Sequence, residues 1–211
     1  VDLGLDFHLG VTTTDMVDAS HSGRLQGSPT VIDSSHPDPK GAFMDAVTLG
    51  SGGSATEQGF AATKAALTAP LTSGANSGFL RGDSVALATI VVSDEEEQST
   101  NLDSGNFSSW YNGLKSDPDK ATFSAICGDR GISICTLYTT NGIIMAAGGD
   151  DYIDAADSTG GIWQSICTDH FDRALQHLSL TAAGMSYYWD LTEVPSNIAL
   201  MTVEVDGVEV D

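Results

Sequence analysis

Apolar and polar residues alternate from Leu5 to Thr14, with Leu5, Phe7, Leu9 and Val11 on one side, the period of a half-buried strand. A different pattern governs Val85 to Val92, eight near-continuous apolar residues that end abruptly in Ser93-Asp94 and the glutamates Glu95, Glu96 and Glu97. A run of that kind reads as a strand buried on both faces, in the middle of a sheet. Its acidic end then emerges at the strand's C-terminus, where open α/β sheets place their ligand sites. Ala121 to Cys127 reads as another buried strand and Ile162 to Cys167 as a further one.

Helical periods separate these strands. In Pro37 to Val47, Asp38 is placed as N-cap and Pro39 at the first helical position, with Phe43 and Val47 on one face. After the glycine-rich Gly50-Ser-Gly-Gly-Ser54, the spacing Ser54-Ala-Thr-Glu57 predicts a capping box. Phe60 and Leu67 then mark the buried face of a helix that ends near Pro70. Phe107, Trp110, Tyr111 and Leu114 predict a helix entered near Ser104, and Asp150 to Asp157 a short one stopped by Gly160-Gly161. A last helix begins at Thr168 or Asp169 and carries Phe171, Leu175 and Leu178.

The order strand, helix, strand, helix predicts an α/β fold built on a doubly wound, mostly parallel sheet over residues 1–180. From 181 to 211 the pattern changes. Ser186 to Leu191 and Ala199 to Val205 alternate as strands, and Asp206-Gly207 predicts a hairpin turn into Val208-Glu-Val210, a C-terminal β extension. The chain opens almost directly in a strand and stops as the returning strand starts, so both ends are expected to be truncated.

Charge narrows the partners. Twenty-nine acidic against 8 basic residues give a formal net charge of -21, which disfavours nucleic acid and anionic membrane surfaces and favours cations and basic proteins. No apolar run approaches the ~20 residues of a membrane-spanning helix. The 3 cysteines, Cys127, Cys135 and Cys167, allow three single pairings. Cys127 and Cys135 are close enough to staple a loop, which suits an oxidising compartment. Zinc is disfavoured, because no CxxC pair or nearby histidine cluster is present.

Four pieces carry a resemblance: Leu9-Gly-Val-Thr-Thr-Thr-Asp-Met16, Gly50 to Gly59, Gly78-Phe-Leu-Arg81 with Val91-Val-Ser-Asp-Glu-Glu96, and Ser158 to Cys167. In that order they resemble the von Willebrand factor type A-like domains of bacterial cell-envelope proteins and lipoproteins. The resemblance implies a metal-ion-dependent adhesion site at the sheet's C-terminal edge. Asp94 matches the aspartate that ends the fourth strand, and Ser54 or Thr56 the hydroxyl of the glycine-rich loop. Hard oxygen ligands of this type suit Mg²⁺ or Ca²⁺. The family's first strand, with its Asp-x-Ser-x-Ser loop, has no counterpart, since Leu5 to Thr14 matches the second strand. Completion by an upstream segment, a neighbouring subunit or a homo-oligomer is therefore expected.

What the resemblance implies is a non-enzymatic adhesion module in the envelope, periplasm or extracellular space, engaging a protein ligand through the rim. A structural subunit of a surface assembly is the alternative, and a hydrolase with unrecognised residues a further one. Asp18-Ala-Ser-His-Ser22 spells Asp-x-Ser-x-Ser but follows the wrong strand. Arg81-Gly-Asp-Ser84, the tetrapeptide of integrin ligands, sits where the chain turns into the apolar strand, and a structural turn is expected. The histidines His8, His21, His36, His170 and His177 form no HExxH spacing, and no Gly-x-Ser-x-Gly elbow is present.

Overall fold

A computed structural model describes residues 5–168 apart from 51, 140 and 141, short helical pieces at 175–176 and 178–179, and strands at 203–205 and 208–210. The expected strand at 186–191, the 180/181 domain boundary, and the Asp206-Gly207 turn lie outside the described residues. The strands that flank that turn, β8 (Val203–Val205) and β9 (Val208–Val210), do pair antiparallel. No described helix is long and apolar enough to cross a membrane.

The chain is an α/β protein. Strand β3 (Leu87–Val92) pairs in parallel with β4 (Ala121–Cys127), and β4 in parallel with β7 (Trp163–Ser165), giving the order β3-β4-β7. β4 is the central strand, buried at every position but Thr122. A separate antiparallel pair joins β1 (His8–Leu9) to β2 (Ile32–Asp33) and extends to a bridge between Val11 and Gln26. The first strand is thus shorter than its alternation predicts, and Leu5 is exposed.

Helices α2 (Gly59–Ala66), α3 (Ser104–Asn112) and α4 (Asp150–Ser158) supply an aromatic core to one face of the parallel sheet. Phe60 stacks on Phe107 with ring centroids 4.2 Å apart, and Phe123 of β4 meets Phe107 edge-on at 4.9 Å. Tyr152 closes the cluster against Phe60 at 5.4 Å. Burying each such ring contributes about 1.5–3 kcal/mol, so these four rings dominate the cohesion of helices and sheet. Tyr111 is buried beside them and donates its hydroxyl to Thr89 Oγ1 at 2.8 Å and Thr122 O at 3.0 Å. Its pKa is raised by that burial.

Several expectations need correction. β3 is not buried on both faces: Leu87 and Val91 face the core, while Ile90 is 43% and Val92 54% exposed. The cause is position, since β3 is an edge of the described sheet and its alternate residues point away from the three helices. Helix α1 (Pro39–Val47) has the predicted cap, with Asp38 accepting from Gly41 N at 2.9 Å. Its buried residue is Ala46, however, and Val47 is 42% exposed.

The capping box at Ser54–Glu57 does not form, because α2 starts later, after Gln58, which gives no side-chain cap. The disulfide joins Cys135 to Cys167 with Cα atoms 6.1 Å apart, not Cys127 to Cys135. Cys127 ends buried β4 as a free thiol and packs toward Gly149, the N-cap residue of α4. Burial, reinforced by the charges of Asp129 and Asp150, pushes its thiol up to about 12.

Candidate functional site

The C-terminal rim of the parallel sheet begins where β3 stops. Ser93 N continues the ladder by donating to Ile126 O at 3.0 Å, and Ser93 Oγ donates to Glu95 O at 2.9 Å, which turns the chain. Asp94 is left exposed on that turn. Its carbonyl accepts from Ala147 N at 2.9 Å, and its carboxylate has no hydrogen-bond or ion-pair partner among the described residues.

Two other segments meet the rim. Asp15 follows β1 and is only 7% exposed; its Oδ1 accepts from Val17 N at 2.7 Å and Asp18 N at 3.1 Å, and its Oδ2 from Ser54 N at 3.0 Å. The backbone donors from Asp18 and Val17, then that from Ser54, hold this carboxyl below its ordinary value. The neighbouring Thr14 hydroxyl donates to the Glu57 carboxylate. Gln98 N in turn donates to Glu57 O at 2.8 Å. Glu97 Oε2 accepts from Phe60 N at 2.9 Å and Ser99 Oγ from Ala61 N at 3.0 Å, so the loop after β3 caps α2 from outside its own sequence. The stretch after β1, the glycine-rich loop and the loop after β3 are thereby locked together.

Of the residues expected to ligate metal, Ser54 lies in this network through its backbone, and its Oγ accepts from Thr56 N at 3.0 Å. Thr56 is exposed. Ser54 is tied to Asp15 and not to Asp94. The described residues contain no group of three or more His, Cys, Asp or Glu side chains placed to hold a metal ion. Asp94 shares no hydrogen bond with Ser54 or Thr56, so the described contacts do not join the three expected ligands into one site.

The other motifs are used by the fold. Asp18 Oδ1 accepts from both the N–H and the hydroxyl of Ser20 at 2.7 Å, and Ser22 Oγ donates back to Asp18 O at 2.8 Å, a closed local turn. Arg81 pairs with Asp6 at 2.9 Å, Asp83 accepts from Ser116 Oγ at 2.8 Å, and Lys115 Nζ donates to Arg81 O and Gly82 O at 2.9 Å each. The Arg-Gly-Asp segment is thus a pinned turn.

A ribbon that the hydrophobic pattern had not disclosed rises from the same rim. β5 (Ile134–Thr139) and β6 (Gly142–Ala147) pair antiparallel with Tyr138 opposite Ile143 and Thr136 opposite Met145. Side chains directly opposite each other share a face, so Ile134, Tyr138, Ile143 and Met145 lie together. They are 57%, 78%, 60% and 54% exposed. On the other face Cys135 and Ala146 are buried, and the Cys135–Cys167 bridge fastens the ribbon to the segment after β7. At its base Arg130 pairs with Asp154 and Asp157 of α4, and Gly128 lies so close to Ala147 that an added Cβ would sit 1.8 Å from Ala147 O. The overlooked signal is the dipeptide Asn141-Gly142, which follows Ile134-Cys-Thr-Leu-Tyr-Thr139 and opens onto the apolar Ile143-Ile-Met-Ala-Ala147.

Comparison with protein-family models, curated proteins and solved structures gives no match for this chain.

Proposed function

We propose that the chain is a non-enzymatic protein-binding module of the von Willebrand factor A-like kind, acting at the cell envelope or outside the cell through the C-terminal rim of its sheet. The observation that carries this reading is the β5–β6 ribbon. It holds four large apolar side chains exposed on one face, and its last residue is hydrogen-bonded to Asp94, two residues beyond the end of β3. An apolar patch bordered by polar groups is the ordinary mark of a protein contact.

Further support comes from the parallel pairing of β3, β4 and β7, with Asp94 in the turn that follows β3. The net charge of -21 selects a ligand with basic groups around an apolar centre. A disulfide suits the oxidising surroundings this reading assigns. Mg²⁺ or Ca²⁺ belongs to the proposal only where further oxygen donors join Asp94.

Probing an array of extracellular and envelope proteins with the purified chain tests it. The expected result is a ligand that the Tyr138→Ser/Met145→Ser variant binds at least about tenfold more weakly, with its thermal midpoint unchanged. Absence of any ligand, or a ligand indifferent both to the ribbon and to Asp94→Ala, overturns the proposal. Calorimetric titration with Mg²⁺ and Ca²⁺, in wild type and Asp94→Ala, decides whether metal takes part.

A further inference from the structure

The sequence holds one Asn-x-Ser/Thr tripeptide, Asn106-Phe107-Ser108, and the fold places its two ends in opposite surroundings. All three residues lie in the first half of α3. Asn106 is exposed there. Asp103 caps the helix by accepting from Asn106 N at 2.8 Å through Oδ1, and its Oδ2 accepts from Asn106 Nδ2 at 2.8 Å. Phe107 is wholly buried against Phe60.

Ser108 has a hydroxyl that the fold does not use. It is 4% exposed, and its Oγ has no hydrogen-bond partner. Other buried hydroxyls near the sheet are employed: Thr159 Oγ1 donates to Ala155 O at 2.8 Å and accepts from Phe123 N at 3.1 Å, and Ser124 Oγ accepts from Ile162 N at 3.2 Å. A serine inside a helix can return its hydroxyl to the carbonyl of the preceding turn, but Ser108 does not. A buried hydroxyl left unpaired is destabilising. Alanine would fill the same space without that cost and with a higher helix propensity. Packing explains a small side chain at 108 and leaves its oxygen unexplained.

We propose that Asn106 is a site of N-linked glycosylation and that the Ser108 hydroxyl serves the glycosyl transferase, which requires a hydroxyl two residues after the asparagine, rather than the fold. The co-reactant is an oligosaccharide joined through its anomeric carbon to a lipid phosphate or diphosphate. Asn106 Nδ2 forms a bond to that carbon as the bond from the carbon to the phosphate oxygen breaks. The lipid phosphate leaves with the electron pair, and the amide loses one proton to a base of the transferase. The substituted amide keeps one N–H, which is all that the bond to Asp103 Oδ2 requires.

Burial of Ser108 sets the order of events. Once α3 has packed, the hydroxyl is out of a transferase's reach, so the sugar is added before folding is complete. This inference rests on the placement of the chain outside the cell in the proposed function, and on neither the ribbon nor Asp94.

Peptide mapping of the full chain recovered from its own cells tests it, before and after an amidase releases N-linked glycans in heavy-oxygen water. The expected result is a glycan on the peptide that carries Asn106, and conversion of that residue to a heavy-oxygen aspartate on release. An unmodified Asn106 in chain recovered from outside the cell overturns this inference alone. Chain found only in the cytoplasm, unmodified, overturns the placement with it.

Variants expressed in the same cells separate the two residues. Asn106→Gln and Ser108→Ala should each lose the glycan, and Ser108→Thr should keep it. A glycan that survives Ser108→Ala overturns the inference. Prepared without glycan, Ser108→Ala should unfold at a thermal midpoint equal to or above that of the unglycosylated wild type. A lowered midpoint would show that the hydroxyl serves the fold and would overturn the role assigned to it.

Discussion

Glu97 caps a helix that it does not belong to: its carboxylate accepts the Phe60 N–H at 2.9 Å across 37 residues of sequence. The same carboxylate accepts from Ser99 N at 2.6 Å, so one side chain fixes both the loop after β3 and the first turn of α2. Phe60 is the ring on which Phe107, Phe123 and Tyr152 all pack, and its helix is thereby positioned by the acidic rim.

Removing that cap should be felt in stability. Glu97→Ala is expected to lower unfolding free energy by about 1–2 kcal/mol, the scale of a lost N-cap aggravated by partial burial. Ser54→Ala should cost much less, because Ser54 Oγ serves only the Thr56 turn. Urea denaturation of the two variants checks this. Equal losses would restore the capping box that the spacing Ser54–Glu57 predicts.

How much of this could be seen beforehand depended on whether the causes were local. Asp38 and Pro39 announce α1, and the apolar run of Ala121–Cys127 announces β4, because cap chemistry and continuous burial are written in adjacent residues. The exposure of Ile90 and Val92 was invisible, since a run apolar on both sides does not say whether a layer covers each side. The α2 cap and the Cys135–Cys167 pairing were equally hidden, because both join segments more than thirty residues apart. At the rim, Asp94 was legible as a residue close behind the apolar strand, which itself stops at Val92. Asp15, which organises the glycine-rich loop through Ser54 N, was not, because a lone aspartate after a strand resembles any turn residue.

Asp15 should give the protein a component of acid sensitivity. Backbone donors hold its folded pKa below the ordinary 3.8, so the ionised form favours the folded state. That contribution is complete above the unfolded value and is lost as pH falls through the lower folded value. Asp15→Asn should therefore be less stable than wild type at neutral pH, and the difference should shrink as pH drops below 3.8. Thermal midpoints measured from about pH 7 to pH 2 check the sign; a gap that widens on acidification would be the wrong one.

Thiol chemistry should separate the cysteines. Cys127 is buried and its thiol is pushed up to about 12, so the native, unreduced protein should show no thiol reactive to an aromatic disulfide at pH 8. Unfolding without reductant should release one thiol, and peptide mapping should return Cys135 linked to Cys167. Replacing both bridged cysteines by serine should cost about 3–4 kcal/mol for a sequence separation of 32 residues.

Gly128→Ala tests how the ribbon is mounted. A Cβ at this position would fall 1.8 Å from Ala147 O and 2.7 Å from Ala147 C, both backbone atoms with no rotamer to yield. The strands at the ribbon's base must then separate, which strains the Ala147 N to Asp94 O bond and tilts the apolar face relative to the rim. A loss of about 1–3 kcal/mol or more is expected. Gly52→Ala is the matched control, since nothing lies within 4 Å of the Cβ it adds. Amide exchange gives the local readout: the Ala147 N–H should lose protection in Gly128→Ala while the β4–β7 ladder keeps it. Retained protection at Ala147 would show that the ribbon base yields without parting from Asp94.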